Sequence, residues 1–173
     1  MATLLDTSAL VVLLRRRPPA GREIVATTAE ARLREGKGVL SSVTVTELLV
    51  GARDGAAEGR VMELLGRLPV VAFDREVAEL AGRMGRTARA EGMVLPLPDL
   101  AIAATARWLG VPLLTADQDF ARGVALAAKA GKEEPWHGFE LDPGSVVSRG
   151  DGSHRSDEPL DRTEQAKALD RPP

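Results

Sequence analysis

Asp6, Glu47, Asp99, Asp117 and Asp119 stand where apolar segments meet a turn or a helix start, in the stretches LLDTSAL, VTVTELLVGA, LPDLAIAATA and LLTADQDF. A carboxylate in such a place loses solvent, and carboxylates brought together raise one another's pKa or repel outright. A divalent cation removes both effects. Oxygen-only ligands suit a hard metal, so the pattern points to Mg²⁺ or Mn²⁺. Each acid also has an ordinary role open to it. Asp6 reads equally as a helix cap, Glu47 as a solvated helix residue and Asp99 as a first-turn acid favoured by the helix dipole. Asp117 reads as a turn former and Asp119 as a surface charge. They become one site only if the fold carries them to one place.

The rest of the composition narrows the chemistry. There are no cysteines, which excludes disulfides, thiolate zinc sites and cysteine nucleophiles and fits a reducing compartment. Both histidines, His137 and His154, fall in a polar C-terminal stretch, so residues 1–130 contain no histidine to act as a base. With three Phe, two Trp and no Tyr, the core has to be Leu, Val and Ala. The length of 173 residues suits one domain with an appendage. No apolar stretch approaches the ~20 residues of a membrane helix. Asp6 interrupts the N-terminal apolar run and the charges follow it, unlike a signal peptide. The expectation is a soluble, cytoplasmic protein with no membrane partner.

The elements that must position the acids follow from punctuation and periodicity. Thr3–Asp6 reads as a short buried strand, followed by a helix over Ala9–Arg16 that Thr7 or Ser8 caps and Pro18-Pro19 stops. Helical spacing marks Gly21–Glu35, a helix from Ser42 or Thr44 that carries Glu47, and Ala56–Leu68. Val39–Ser41, Pro69–Phe73 and Leu113–Thr115 read as strands. Asp74 caps a helix over Arg75–Ala90, and Pro98 opens another with Asp99 just inside it. Val124–Ala130 suits either a strand or a helix. Strands alternating with helices argue for an α/β fold with a parallel sheet between helices. Ligands of such sheets bind beyond the carboxyl ends of the strands, which is where Asp6 and Asp117 fall. From about Gly131 the chain turns polar. The domain is therefore expected over 1–130, with a polar, flexible extension over 131–173.

Taken together and in order, LLDTSAL, SSVTVTELLVGA and LPDLAIAATARWLGVPLLTADQDF resemble the PIN-domain family, and within it the VapC-type toxins of bacterial toxin–antitoxin pairs. The resemblance spans roughly residues 3–126. It implies a three-layer α/β/α sandwich whose acids cluster at one end as a Mg²⁺ or Mn²⁺ site for RNA cleavage. Position by position, Asp6, Glu47, Asp99 and Asp117 match the four family acids, and Asp119 matches an extra acid often found two residues later. Asp6, Asp99, Asp117 and Asp119 are the metal candidates, and Thr7, Ser8 and Thr115 match hydroxyl residues that would hydrogen-bond the acids. The family further implies a cognate antitoxin protein and a homodimer. Its last strand is poorly drawn in this sequence.

Charge distribution leaves room for RNA. Residues 131–173 carry six Lys/Arg against ten Asp/Glu, and residues 1–130 the remaining seventeen against fifteen. If a metal neutralises several of those acids, the remaining surface is basic. Arg15, Arg16, Arg86, Arg107 and Arg122 are candidates for the phosphate backbone, though each serves equally as a solubilising charge. Two rival readings stand beside the nuclease. Asp6-Thr7-Ser8 after a strand evokes an aspartate-nucleophile phosphatase, but Ser8 stands where such enzymes carry a second Asp, and Lys37 and Lys129 are the only lysines in residues 1–130. A non-catalytic PIN-like RNA- or protein-binding module would be expected to lack one or more of the acids.

Overall fold

A computed structural model describes residues 1–15, 17–130 and 140–145. Arg16, His137, His154 and residues 146–173 lie outside the described residues, so the expectations placed on them are not taken further here.

The element order alternates as the pattern implied. β1 (Thr3–Leu5) leads into α1 (Thr7–Leu14), and α2 (Glu23–Arg34) leads back to β2 (Gly38–Ser41). Next come α3 (Ser42–Gly51), α4 (Gly55–Leu65), β3 (Val70–Val71) and α5 (Arg75–Ala90). α6 (Leu97–Leu109), β4 (Leu113–Leu114) and α7 (Gln118–Ala130) complete the described elements. Side-chain caps begin several helices: Ser41 accepts from the Val43 amide, Asp54 from Ala57 and Asp74 from Val77. Gly110 ends α6 in the left-handed region, at φ 64°, where a side chain would be strained.

Among the described residues the sheet is four-stranded and parallel throughout, in the order β3-β2-β1-β4. Its strands read as short apolar runs because both faces are covered. Alternation along the strands divides the core. Leu5 and Leu114 pack with Leu10, Val25, Leu40, Leu48 and Leu64 on one face, under α1, α2 and α4. Leu4 and Leu113 pack with Val77, Met84, Ile102, Phe120 and Val124 on the other, under α5, α6 and α7. This is a three-layer α/β/α sandwich. Gly38 sits where two leucines converge; a Cβ there would meet Leu68 Cδ2 at 2.7 Å.

Two features differ from the sequence reading, and a third takes one of the two forms it left open. The cap of α1 is Asp6 rather than Thr7 or Ser8: its carboxylate accepts from the Ser8 amide while Thr7 is already helical. Val124–Ala130 lies within helix α7. Residues 140–145 return to the outer edge of β4. Leu141 bridges Leu113 in parallel, the Leu113 amide donates to the Glu140 carbonyl at 3.0 Å, and the Asp142 amide donates to the Leu113 carbonyl at 2.7 Å. Asp142 is buried there, held by Arg32 at 3.0 Å, Thr3 Oγ1 at 3.2 Å and the Gly144 amide at 2.9 Å. That short edge segment stands where the sequence drew no strand, and it lies beyond the boundary expected at residue 130.

Candidate active site

The strand order turns outward on both sides of β1, with β2 on one side and β4 on the other. A crevice opens between neighbouring strand ends at such a switch point. Asp6 follows β1 directly and Asp117 lies three residues after β4. The elements that flank this end deliver the remaining acids: Glu47 from the second turn of α3, and Asp99 from the first turn of α6. Asp6, Glu47, Asp99, Asp117 and Asp119 all line one cavity of about 530 Å³, with Thr7, Ser8, Val12, Arg15 and Arg22 among its other walls.

Asp6 is the most buried of the five, at 4% exposed. Its Oδ2 accepts from Ser8 Oγ at 2.5 Å and from Thr115 Oγ1 at 2.8 Å, and more weakly from the Ser8 amide at 3.3 Å. Those two hydroxyls are themselves fixed. Ser8 Oγ accepts from the Ala116 amide at 2.9 Å, and Thr115 Oγ1 accepts from the Asp117 amide at 3.0 Å. Burial pushes the Asp6 carboxyl up, and the Ser8 and Thr115 hydrogen bonds only partly offset this. Glu47 is held by Thr7 Oγ1 at 2.5 Å. Asp117 turns its Oδ1 to the amides of Asp119 and Phe120, at 2.9 and 3.0 Å, and so caps α7.

Asp99 is pushed up to about 6, by burial first and then by the charges of Asp6, Asp117 and Glu47. Four acids from four segments are therefore close enough to feel one another. Hydroxyls and amides, not cations, hold those of them that have side-chain partners.

Asp119 is placed differently. Its side chain is exposed on the first turn of α7, at the edge of the cavity, where it pairs with Arg122. The arginine candidates separate as well. Arg15 lines the cavity. Arg86 lines an apolar pocket between α5 and residues 93–100. Arg107 stands on the last turn of α6, about 12 Å along the helix from Asp99 at 1.5 Å per residue. Two residues of the site were passed over in the sequence, Arg22 on the wall and Ser145 behind Thr115. Neither has a local signal, since one follows a turn and the other comes from the edge segment.

The donor set fits a hard divalent cation. It is oxygen only, it carries excess negative charge, and its buried member has no cationic partner. Among the described residues no three acids are drawn together tightly enough to cage an ion unaided. Mg²⁺ does not require such a cage, because it keeps several waters and takes one or two carboxylates with substrate oxygens. Asp6 and Asp99, with Asp117, are placed to supply those carboxylates.

The PIN-domain profile matches residues 3–125. The chain belongs to the PIN-domain family. Among solved structures, this PIN domain is similar to VapBC2 of Rickettsia felis bound to promoter DNA, with a TM-score of 0.63 and 18% identity over 82% of this chain and 98% of that one. It is similar to FitAcB of Neisseria gonorrhoeae, with a TM-score of 0.56 and 26% identity over 70% and 91% of the two chains. It is also similar to DNA-bound VapBC of Salmonella typhimurium, with a TM-score of 0.59 and 19% identity over 82% and 97%. No curated protein sequence matches the chain.

Proposed function

We propose that this PIN domain is a Mg²⁺- or Mn²⁺-dependent endoribonuclease and the toxin of a toxin–antitoxin pair, working in the cytoplasm. The observation that carries the reading is the convergence of Asp6, Glu47, Asp99 and Asp117 on one cavity at the sheet's switch point. A metal held there supplies Lewis acidity for an in-line attack of water on a phosphodiester. The residues supply the rest. Asp6, clamped by Ser8 and Thr115, and Asp99, fixed at the start of α6, would hold the cation. Glu47, oriented by Thr7, is the remaining carboxylate able to accept a proton from attacking water, in a site with no histidine. Arg15 at the cavity wall adds positive charge on the path of the RNA backbone.

The partner reading follows from the surface beside this cavity. Val11, Leu14, Leu48, Ala52, Ala57 and Val61 line an apolar groove of about 280 Å³ that shares Val11, Arg15 and Glu47 with the acidic cavity or its rim. An amphipathic antitoxin helix would lie in it by its apolar face, and an arginine from that partner could reach the carboxylates. Among the structures to which the chain is similar are two of VapBC, a family of toxin–antitoxin systems, which supports a partner of that kind. A homodimer is the expected state of the toxin. Among the described residues no helix is long and apolar enough to cross a membrane.

The test is cleavage of single-stranded RNA with and without added Mg²⁺ or Mn²⁺, for the protein and for Asp99→Asn. Metal-dependent cleavage lost in Asp99→Asn supports the reading. Full activity in Asp99→Asn, or none in the parent with either metal, removes it.

A further inference from the structure

We infer that Arg22 is the residue of this site that grips a phosphate of the RNA strand, an inference that rests on the nuclease reading above. Arg22 stands at the N-cap position of α2, where a guanidinium, having donors only, has no part in capping the helix amides. It lines the cavity that holds Asp6, Glu47, Asp99 and Asp117. Its Nη1 is buried and, among the described residues, has no hydrogen-bond partner. None of the ion pairs among the described residues includes it, although four carboxylates share its cavity.

Two other arginines also carry a buried nitrogen without a partner, and the contrast is informative. Arg32 leaves its Nε unpaired but gives its Nη2 to Asp142. Arg107 lies at the far end of α6 from the acids. Only Arg22, of these three, faces the site with its guanidinium uncommitted. A buried donor without an acceptor costs stability, so a group kept that way at a cavity wall is one that a ligand completes. The matching ligand presents a pair of anionic oxygens, as a phosphodiester does. The carboxylates of the cavity repel such a strand until a cation neutralises them. Rotation of the terminal torsions of Arg22 then turns the free nitrogen onto a non-bridging oxygen beside the scissile bond. Arg22 is thereby a substrate-contacting residue of the cavity that Asp99 also lines.

The experiment measures binding of a fluorescently labelled single-stranded RNA oligonucleotide in magnesium buffer across a salt titration. Asp99→Asn serves as the parent, so that the strand stays intact. Adding Arg22→Gln should raise Kd about tenfold at low salt and flatten the log–log salt dependence by about 0.7, the contribution of one phosphate contact on a single strand. Arg22→Lys should keep the slope while losing part of the affinity, because it keeps the charge but not the fork. Arg22→Met, which keeps the apolar stem, decides the matter if the Gln variant does not fold. A Kd and slope equal to the parent's in the Gln or Met variant overturn the role of Arg22 while leaving the nuclease reading intact. If the parent binds no RNA and the unmutated protein cleaves none, the nuclease reading fails and the role of Arg22 falls with it.

Discussion

Asp6 and Asp142 are both aspartates almost wholly shut from water, at 4% and 2% exposed, on either side of β4. They are satisfied in opposite ways. Asp142 has Arg32 at 3.0 Å, a hydroxyl from Thr3 and the Gly144 amide, so its charge is cancelled within the chain. Among the described residues Asp6 has only the Ser8 and Thr115 hydroxyls and backbone amides, with Asp99, Asp117 and Glu47 nearby. Hydroxyls orient a carboxylate without neutralising it. A buried acid with a cation belongs to the architecture. A buried acid without one, among other acids, holds a charge that a cation from outside the chain can answer. The same local event, an Asp beside a short strand, thus leaves a neutralised carboxylate at one edge of β4 and an unneutralised one at the other.

The largest effect expected from this contrast is on catalysis and runs against stability. Asp99→Asn should reduce RNA cleavage by at least about a thousandfold, as loss of a group acting directly in the transition state does. It should also raise the thermal midpoint of the metal-free protein at neutral pH, since it removes a partly buried charge that Asp6, Asp117 and Glu47 repel. The measurements are a cleavage time course and melting curves in EDTA. A variant that is inactive and also less stable would mean that Asp99 supports the fold in the way Asp142 does.

The opposite behaviour is expected at the other aspartate. Asp142→Asn removes the nearer of the two carboxylates that Arg32 pairs with, leaving Glu35 at 3.9 Å, and weakens the hold on the edge segment. Breaking a buried pair costs about 3–5 kcal/mol. Arg32 is 28% exposed, so water takes up part of its charge and the loss should be smaller, about 2 kcal/mol. In a chain of this size that lowers the midpoint by roughly 4–8 °C. The metal dependence of cleavage should be unchanged at temperatures where the variant is folded. A midpoint equal to that of the unmutated protein would show that residues 140–145 contribute nothing to the fold.

How much of this was readable beforehand differs between the two aspartates. Most acids of the cavity could be picked out because Asp6 and Asp117 follow strands and Asp99 opens a helix, and those elements have strong local signals: short apolar runs, Asp74 and Pro98 at helix starts, Gly110 at a helix end. The family motifs then gave the match over 3–125. Asp142 has no such signal. Leu141 alone carries the bridge to β4, and one apolar residue among Glu140, Asp142, Pro143 and Gly144 has no period to detect. Its partners, Thr3 and Arg32, lie more than a hundred residues away in sequence. The cap of α1 was ambiguous for a related reason: Thr7 and Ser8 are good caps by type, Asp6 just before them reads as a cap and as a metal ligand alike, and the structure places the cap at Asp6. Arg22 was invisible because only the fold shows that it faces the acids.

Titration provides a subtler contrast. In the metal-free protein Asp99 is raised from 3.8 to about 6, and Asp6 is raised as well. The native state therefore binds protons more readily than the unfolded chain between about pH 4 and pH 6. Stability from these groups is present in full below the unfolded value and is lost as pH rises through the folded one. The metal-free midpoint should accordingly be a few degrees higher at pH 5 than at pH 7.5, and the difference should shrink in Asp99→Asn. Saturating Mg²⁺ should remove it from the other side, because the cation favours the ionised carboxylates and releases their protons. Calorimetry in buffers of different ionisation enthalpy would count those protons. A metal-free midpoint that climbs steadily from pH 5 to pH 7.5 would contradict the raised carboxyls of Asp99 and Asp6.

The smallest effect tests the one place where the two regions touch. Ser145 Oγ accepts from the Thr115 amide at 3.1 Å and donates to the Leu113 carbonyl at 3.1 Å, while Thr115 Oγ1 holds Asp6 at 2.8 Å. The edge segment anchored by Asp142 is thus one residue removed from the carboxylate clamp. Ser145→Ala deletes both bonds and leaves the Thr115 amide without that partner. The cost should be about 1 kcal/mol, or roughly 2–4 °C in midpoint. If the bond only supports the sheet, kcat and the Mg²⁺ concentration for half-maximal cleavage stay as they are. If it also fixes Thr115, and through it Asp6, that Mg²⁺ requirement rises severalfold while the KM for RNA is unchanged, since Ser145 touches no substrate. The second outcome is the expected one, because the main chain that carries Thr115 is buried between the two regions and has little other freedom to settle. A variant with a lowered midpoint and an unaltered Mg²⁺ requirement would separate the two aspartates completely, with β4 acting as a rigid partition between them.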